Sequence, residues 1–290
     1  MVAEKQMVSI VIPAHNEEGV IADCLELLVQ PCSAFELEII VVCNGCSDRT
    51  SSIARSFNGV ICLETDIASK ANALNLGDKA ATCFPRFYLD ADIRLSLKDV
   101  SIVVAAMKEK NAMLAVPKAQ MDFTDSSWAV KSYYDVWCNL PYCREGMYGA
   151  GVYAVSEEGR KRFVEFPPIN SDGLFIRSMF KQKEKIGVRD AVSIVNAPVN
   201  LGGLITMKAR GRMGIRRFKL NYPELAEKEE KDYGMAVKEL IGDVRTWPKV
   251  LVYLFINIAS RIRARKMIRV KGFDHWEKEK SSRKKAKAGS

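Results

Sequence analysis

Apolar residues along the chain gather in short continuous runs, separated by polar loops and by stretches of helical spacing. Val8–Ile12 (VSIVI) is a β-branched run of the kind that forms a strand buried on both faces. Pro13–Glu17 forms the turn after it. Glu18–Val29 then carries Val20, Ile21, Leu25 and Leu28 at the spacing of one helical face, and Pro31 breaks that helix. Glu38–Val42 predicts a second buried strand, Asp48–Phe57 a helix that Asp48 can cap, and Val60–Glu64 a third strand. Ser69–Lys79 predicts a third helix and Arg86–Leu89 a fourth strand, which ends in Asp90-Ala91-Asp92. A further helix is expected over Asp99–Lys110 and a strand over Met113–Val116. Three strand–loop–helix units leading into a fourth strand imply a parallel sheet with right-handed crossovers. In such a sheet the ligand site lies beyond the carboxyl ends of the strands. That gathers three polar loops into one crevice: Pro13–Glu17, Cys43–Asp48 and Asp90–Asp92.

Composition narrows the picture. With 290 residues, 48% hydrophobic and 27% charged, the chain can bury a sizeable core and is neither fibrous nor wholly disordered. The net charge of +9 favours acidic partners. The start of the chain has no apolar h-region, and the longest apolar run, Val250–Ala259, is too short to span a bilayer. A cytoplasmic protein is expected. Its 8 cysteines read as reduced core thiols, and the Cys43–Cys46 pair lacks a second ligand pair for zinc. Trp128, Tyr133, Tyr134, Trp137, Tyr142, Tyr148 and Tyr153 concentrate aromatic surface in the second half, which suits an acceptor or ring-shaped substrate.

Asp90-Ala91-Asp92 is the sharpest chemical signal. Two carboxylates one residue apart, at the end of a buried strand, need a positive partner. A divalent cation bridging to a diphosphate would supply it, and Mn²⁺ or Mg²⁺ suits carboxylate, phosphate and water oxygens. Asn16 and Glu17 after the first strand, and Asn44 and Asp48 after the second, can bond a nucleobase and ribose. Lys70 supplies a charge for a phosphate, or an ion-pair partner for Asp90.

These segments, taken together, resemble family 2 glycosyltransferases of the GT-A fold. Residues 8–17, VSIVIPAHNE, match the family's opening strand and P-x-x-N-E turn. Residues 41–50, VVCNGCSDRT, resemble its second loop, with Cys43 where aspartate is frequent. SKANALNLG at 69–77 resembles its G-K-x-x-A-L-N-x-G helix, and YLDAD at 88–92 its F-L-D-A-D. NSDGLFIR at 170–177 resembles its E-D segment, with serine for the glutamate. Residues 210–218 loosely resemble its basic Q/R-x-x-R-W segment.

The resemblance implies an α/β fold with a mostly parallel, Rossmann-like sheet flanked by helices. It implies an inverting transfer of a sugar from a nucleoside-diphosphate sugar, UDP by default, to a hydroxyl acceptor such as a glycan or a lipid-linked sugar in polysaccharide biosynthesis. Asp172 would be the general base and Asp92, with Asp90, the metal site. Pro13, Ala14, His15, Asn16, Glu17, Asn44, Asp48, Lys70, Asp90, Ala91, Arg212, Arg216 and Arg217 would bind the nucleotide sugar, Arg210 joining the arginines over the phosphates. As a helix N-cap, Asp172 would need no catalytic role.

The expected organisation is a nucleotide-binding half over 1–117, an acceptor and catalytic half over 118–220, a helical extension over 221–277 and a disordered basic tail over 278–290. Trp247-Pro248 opens a helix with Val250, Leu251, Leu254, Phe255 and Ile258 near one side and arginines directly after. It can lie on an anionic membrane surface, at the inner face of the plasma membrane, or pack on the catalytic domain. Other functions compete. A dinucleotide-dependent dehydrogenase would need glycines where Pro13–Glu18 stands. A nucleotidyltransferase could use the same carboxylates, and a nucleotide-binding scaffold could keep the fold without catalysis. No nucleic-acid signature accompanies the basic charge, which sits mainly beyond residue 210.

Overall fold

The computed structural model describes residues 6–30, 35–140, 151–169, 171–227 and 246–273, together with positions 143 and 282. Pro31, Tyr142, Tyr148, Asn170 and all of the 278–290 tail but Ser282 lie outside the described residues. The described chain forms two compact units. The first draws on Met1–Gln120 and Gly146–Val195, the second on Met121–Glu145 and Asn196–Lys284.

In the first unit, strands and helices alternate: β1 (Gln6–Ala14), α1 (Ile21–Glu26), β2 (Phe35–Asn44), α2 (Thr50–Arg55), β3 (Val60–Thr65), α3 (Lys70–Ala80) and β4 (Arg86–Leu89). The two-residue turn after Asp90 leads to β5 (Ile93–Leu95), α4 (Leu97–Glu109) and β6 (Leu114–Asp122). With β7 (Val152–Val155) and β8 (Lys185–Asn196), the sheet order is β3-β2-β1-β4-β7-β6-β8-β5. β1 is parallel to β2 and to β4, and β2 to β3, as the apolar runs predict. Val8, Ile10 and Ile12 turn one face of β1 to a core shared with Ile21, Leu25, Val100 and Val103 of α1 and α4. Val11 turns the other way, and α3 lies so close to it that a side chain at Gly77 would collide with the Val11 methyl. Both faces are therefore covered, as a parallel sheet requires.

Helix α1 is shorter than its apolar spacing predicts. The Glu17 carbonyl accepts the amides of Val20 and Ile21, and after Glu26 the chain tightens into turns. Two serines cap helices: Ser69 accepts from the Asn72 amide at 3.3 Å, and Ser96 from the Asp99 amide at 3.2 Å, so α4 starts at Leu97 rather than at Asp99.

Beyond β6 come α5 (Trp128–Cys138), β7 (Val152–Val155), the short α6 (Glu157–Arg160), α7 (Asp172–Ser178) and β8 (Lys185–Asn196). β7 runs antiparallel to β4 and β6, and β5 antiparallel to β8. The second unit is completed by α8 (Leu201–Asn221), α9 (Pro223–Glu227) and α10 (Trp247–Lys271). Its core joins Val130, Tyr133 and Tyr134 of α5 to Leu204 of α8 and Ile256 of α10. Lys208 lies over Tyr133 and Trp137, 4.9 and 4.7 Å from the ring centroids.

One buried charge cluster ties the end of α3 to β4 and α6. Asp78 is buried, and its carboxylate pairs with Arg86 and Arg160, each at 2.5 Å, while Tyr88 donates its hydroxyl. Burial pushes the Asp78 carboxyl up, but Arg160, Tyr88 and Arg86 outweigh it and hold it below the usual range. Such a carboxylate contributes stability above the unfolded value of 3.8, lost as pH falls through the folded one. Asp78→Ala leaves two guanidinium groups without their buried partner. It should cost about 3–5 kcal/mol and lower the thermal midpoint by about 10 °C near neutral pH. Calorimetry in acid should find the gap to the native chain narrowing.

Candidate active site

The parallel register sends β1, β2 and β4 out on the same edge, since Ala14 pairs with Cys43 and Val11 with Tyr88. The polar loops meet there. Asn16, in a left-handed conformation at φ 53°, accepts the Ser47 amide on Oδ1 at 2.7 Å. The Asn44 side-chain amide donates to the Ala14 carbonyl at 2.8 Å, and His15 Nδ1–H to the Asn44 carbonyl at 2.6 Å. Asp48 accepts the amides of Thr50 at 3.0 Å and Glu18 at 3.1 Å and so ties the turn before α2 to the first loop, while the N-cap position itself is Arg49, one residue after the Asp48 that the sequence predicts. The buried Glu17 donates its amide to Thr50 Oγ1 at 2.8 Å. Pro13 and Ala14 are buried at the end of β1. Much of the polar surface read as ligand-binding thus also fastens one loop to the other. Cys43 is buried, with its sulfur 3.9 Å from that of Cys62.

The carboxylates lie at the end of β4. The Asp90 amide donates to the Gly151 carbonyl at 2.7 Å, and the Asp90 carbonyl accepts from Ile93 at 3.0 Å. A turn thus forms with Ala91 buried and Asp92 half-buried. Lys70, the first residue of α3, reaches both acids: Nζ is 2.6 Å from Asp90 Oδ1 and 2.8 Å from Asp172 Oδ1. Asp172 opens α7, and its Oδ2 accepts the Tyr153 hydroxyl at 3.1 Å. Ser171 holds the N-cap position, so Asp172 is directed to Lys70 and Tyr153. Burial works to discharge Lys70, but the Asp172 and Asp90 carboxylates outweigh it and hold the ammonium above the ordinary lysine range. Burial pushes Asp90 up to about 6. Lys70 pulls it down, and Asp172 and Asp92 add to the rise.

Asp90 and Asp172 share one ammonium, and Asp92 lies near enough to raise Asp90. Among the described residues, no three of His, Cys, Asp and Glu converge enough to hold a metal alone. Mg²⁺ and like cations often bind through one or two carboxylates completed by substrate phosphates. The Asp90–Asp92 turn is where an ion of that mode could be held, Asp90 being the carboxylate that Lys70 engages.

Arg212, Arg216 and Arg217 belong to α8 in the second unit. Arg212 donates to Ser260 Oγ at 3.0 Å and Asn257 Oδ1 at 2.5 Å on α10. Arg216 is exposed and Arg217 half-buried. Sequence reasoning missed two contributors to the first-unit cluster. Tyr153 was counted only among the aromatic residues. Gly151, at φ +79°, presses its backbone on Asp90, and a Cβ there would stand 2.7 Å from Asp90 Oδ2. The available signal was the Gly149-Ala150-Gly151 stretch just before an apolar run.

The family described as Glycosyl transferase family 2 matches residues 9–159. An uncharacterized protein of Methanocaldococcus jannaschii, MJ1222, is 31% identical over 121 residues, 41% of this chain. The match spans about half (49%) of that relative's length. Among solved structures, mannosyltransferase PcManGT from Pyrobaculum calidifontis, in complex with GDP-Man and Mn²⁺, superposes with TM-score 0.60 at 16% identity, over 90% of this chain and 88% of that one. Glucosyl-3-phosphoglycerate synthase from Mycobacterium tuberculosis, with Mn²⁺, UDP and glucosyl-3-phosphoglycerate, gives TM-score 0.45 at 18% identity, over 68% and 71% of the two chains. The fold is the glycosyltransferase GT-A architecture: a central, mostly parallel sheet between helices.

Gly151 and Gly59 share a φ of +79°, but a Cβ on Gly59 meets nothing within 4 Å. Gly59→Ala should therefore report backbone strain alone, about 1 kcal/mol in urea unfolding. Gly151→Ala should cost about 1–3 kcal/mol more, because it also displaces the Asp90 carboxylate.

Proposed function

Because the chain belongs to glycosyl transferase family 2, we propose that it is a metal-assisted enzyme. It moves a sugar from a nucleoside-diphosphate sugar to a hydroxyl acceptor, with inversion at the anomeric carbon. The observation that carries this reading is the buried Asp172 carboxylate, fixed by Lys70 and Tyr153 in the same charge cluster as the Asp90–Asp92 turn.

A carboxylate has about four lone-pair sites. Lys70 and Tyr153 engage one oxygen each, so Asp172 keeps capacity for the acceptor hydroxyl and takes its proton as that oxygen attacks. Lys70 offsets the charge of the buried base, and Tyr153 fixes its rotation. A Mn²⁺ or Mg²⁺ ion, held by Asp92 together with the donor's diphosphate and with Asp90 adjoining, would stabilise the negative charge left on the departing oxygens. His15, Asn16, Glu17, Asn44 and Asp48, with Pro13, Ala14 and Ala91, form the floor on which base and ribose rest, already tied by their own hydrogen bonds. Arg212, Arg216 and Arg217, expected from the sequence as a phosphate clamp, belong to the second unit, where Arg212 bonds Ser260 and Asn257. GDP-Man and Mn²⁺ in the Pyrobaculum enzyme support a nucleotide-sugar donor with a divalent ion and add GDP-mannose to the UDP-sugars as candidates. The acceptor proposed is a glycan or a lipid-linked sugar.

Asp172→Asn should leave donor affinity within about threefold and lower transfer by about 10²–10⁴. Release of nucleoside diphosphate with an inverted product is expected. Release of pyrophosphate would instead identify a nucleotidyltransferase.

A thermal-shift series of UDP-, GDP- and dTDP-sugars with and without Mn²⁺ tests the donor site. A donor at 100 times its dissociation constant should stabilise by about 2.7 kcal/mol. Asp92→Ala should remove the metal-dependent share and leave the metal-free share unchanged. Equal shifts with and without metal in both proteins would exclude the cation.

A further inference from the structure

Helix α10 carries a feature that sugar transfer does not use. Its inner side is packed: Ile256 joins the core of the second unit, Ser260 is fully buried, and Ala264 packs with Ala209 and Met213 of α8. Its outer side carries Trp247, Leu251, Leu254, Phe255, Ile258 and Ile262, each between 49% and 67% exposed. At 3.6 residues per turn these six fall within an arc of about 100°, opposite Ile256 and Ser260. The same arc continues into Arg265 and Arg269, flanked by Arg261 and Lys266, all four exposed. Polarity therefore changes along the helix axis as well as around it. Roughly four turns of largely exposed apolar side chains are followed by a basic end.

Scattered exposed apolar residues are ordinary, but a continuous stripe of six is a docking surface. The charge at its end selects the occupant. Interfacial helices rest apolar side chains at the acyl boundary, while lysine and arginine stems let their cations reach the anionic headgroups. Trp247 at the start of the stripe suits the same boundary. Among the described residues no helix is long and apolar enough to cross a membrane, so the mode that fits α10 is to lie along one. We propose that this face of α10 is a peripheral docking surface for an anionic lipid bilayer. It stands on the second unit alone and would survive failure of the sugar-transfer reading.

The test is flotation of the full chain with vesicles of phosphatidylcholine alone, and of phosphatidylcholine mixed with phosphatidylglycerol. The chain should float with the mixed vesicles, and weakly or not at all with the neutral ones. High salt should weaken the binding. Leu251→Ser with Phe255→Ser should lower it at least tenfold. Arg265→Gln and Arg269→Gln should each lower it about fivefold. All four side chains are exposed, and circular dichroism and thermal unfolding should match the native chain. The proposal is overturned if the native chain ignores anionic vesicles, or if neither set of variants changes binding. It is also overturned if the chain is a dimer that Leu251→Ser with Phe255→Ser dissociates while vesicles bind nothing, since the stripe would then serve a second copy.

Discussion

The site is organised around one ammonium group. Lys70 opens α3, Asp90 ends β4 and Asp172 opens α7, so three segments distant in sequence meet at Nζ. A cation at a helix N-terminus stands at the unfavourable end of the helix dipole. The two carboxylates reverse that balance, and the lysine in turn makes the buried acids tolerable. Each member therefore depends on the others. The arrangement further requires the antiparallel pairing of β4 with β7, which brings Gly151 against Asp90 and Tyr153 against Asp172.

That dependence explains which parts were legible in the sequence. Strands β1, β2 and β4 are apolar runs because both faces are buried along most of their length, and such runs identify themselves locally, whereas β3, at the sheet edge, is only partly buried. Asp90, Asp92 and Lys70 follow motifs of fixed spacing, and of the two roles read for Lys70 the structure contains the ion pair with Asp90. Strand β5, at three residues, is too short for any period to show. Strand β8 buries Val188, Ala191 and Ser193, which do not keep a spacing of two. Tyr153, Gly151 and Asp78 owe their importance to partners 19, 61 and 82 residues away, respectively Asp172, Asp90 and Arg160. No local pattern records such distances.

The polar loops show a different limit. Asparagine and aspartate at strand ends look alike in sequence whether they meet a ligand or a neighbouring loop. Here Asn16, Asn44 and Asp48 meet neighbouring loops and turns. The two roles are compatible, because loops tied before a ligand arrives need little further ordering when it does. Cys43 is the exception. Where the family's second loop often carries aspartate, this chain buries a thiol against Cys62.

Charge bears on how donor and cation would enter. Asp90 and Asp172 share a single lysine, Asp92 adds to the negative field at Asp90, and a diphosphate brought to that edge alone would add further negative charge. Burial accordingly pushes Asp90 up to about 6, against the pull of Lys70. A divalent ion arriving with the diphosphate answers both deficits, since phosphate oxygens complete a coordination shell that the described carboxylates do not fill by themselves. The proposed metal would then be recruited by the complex of chain and nucleotide. Donor and cation would then bind cooperatively, each raising the affinity for the other by the same factor.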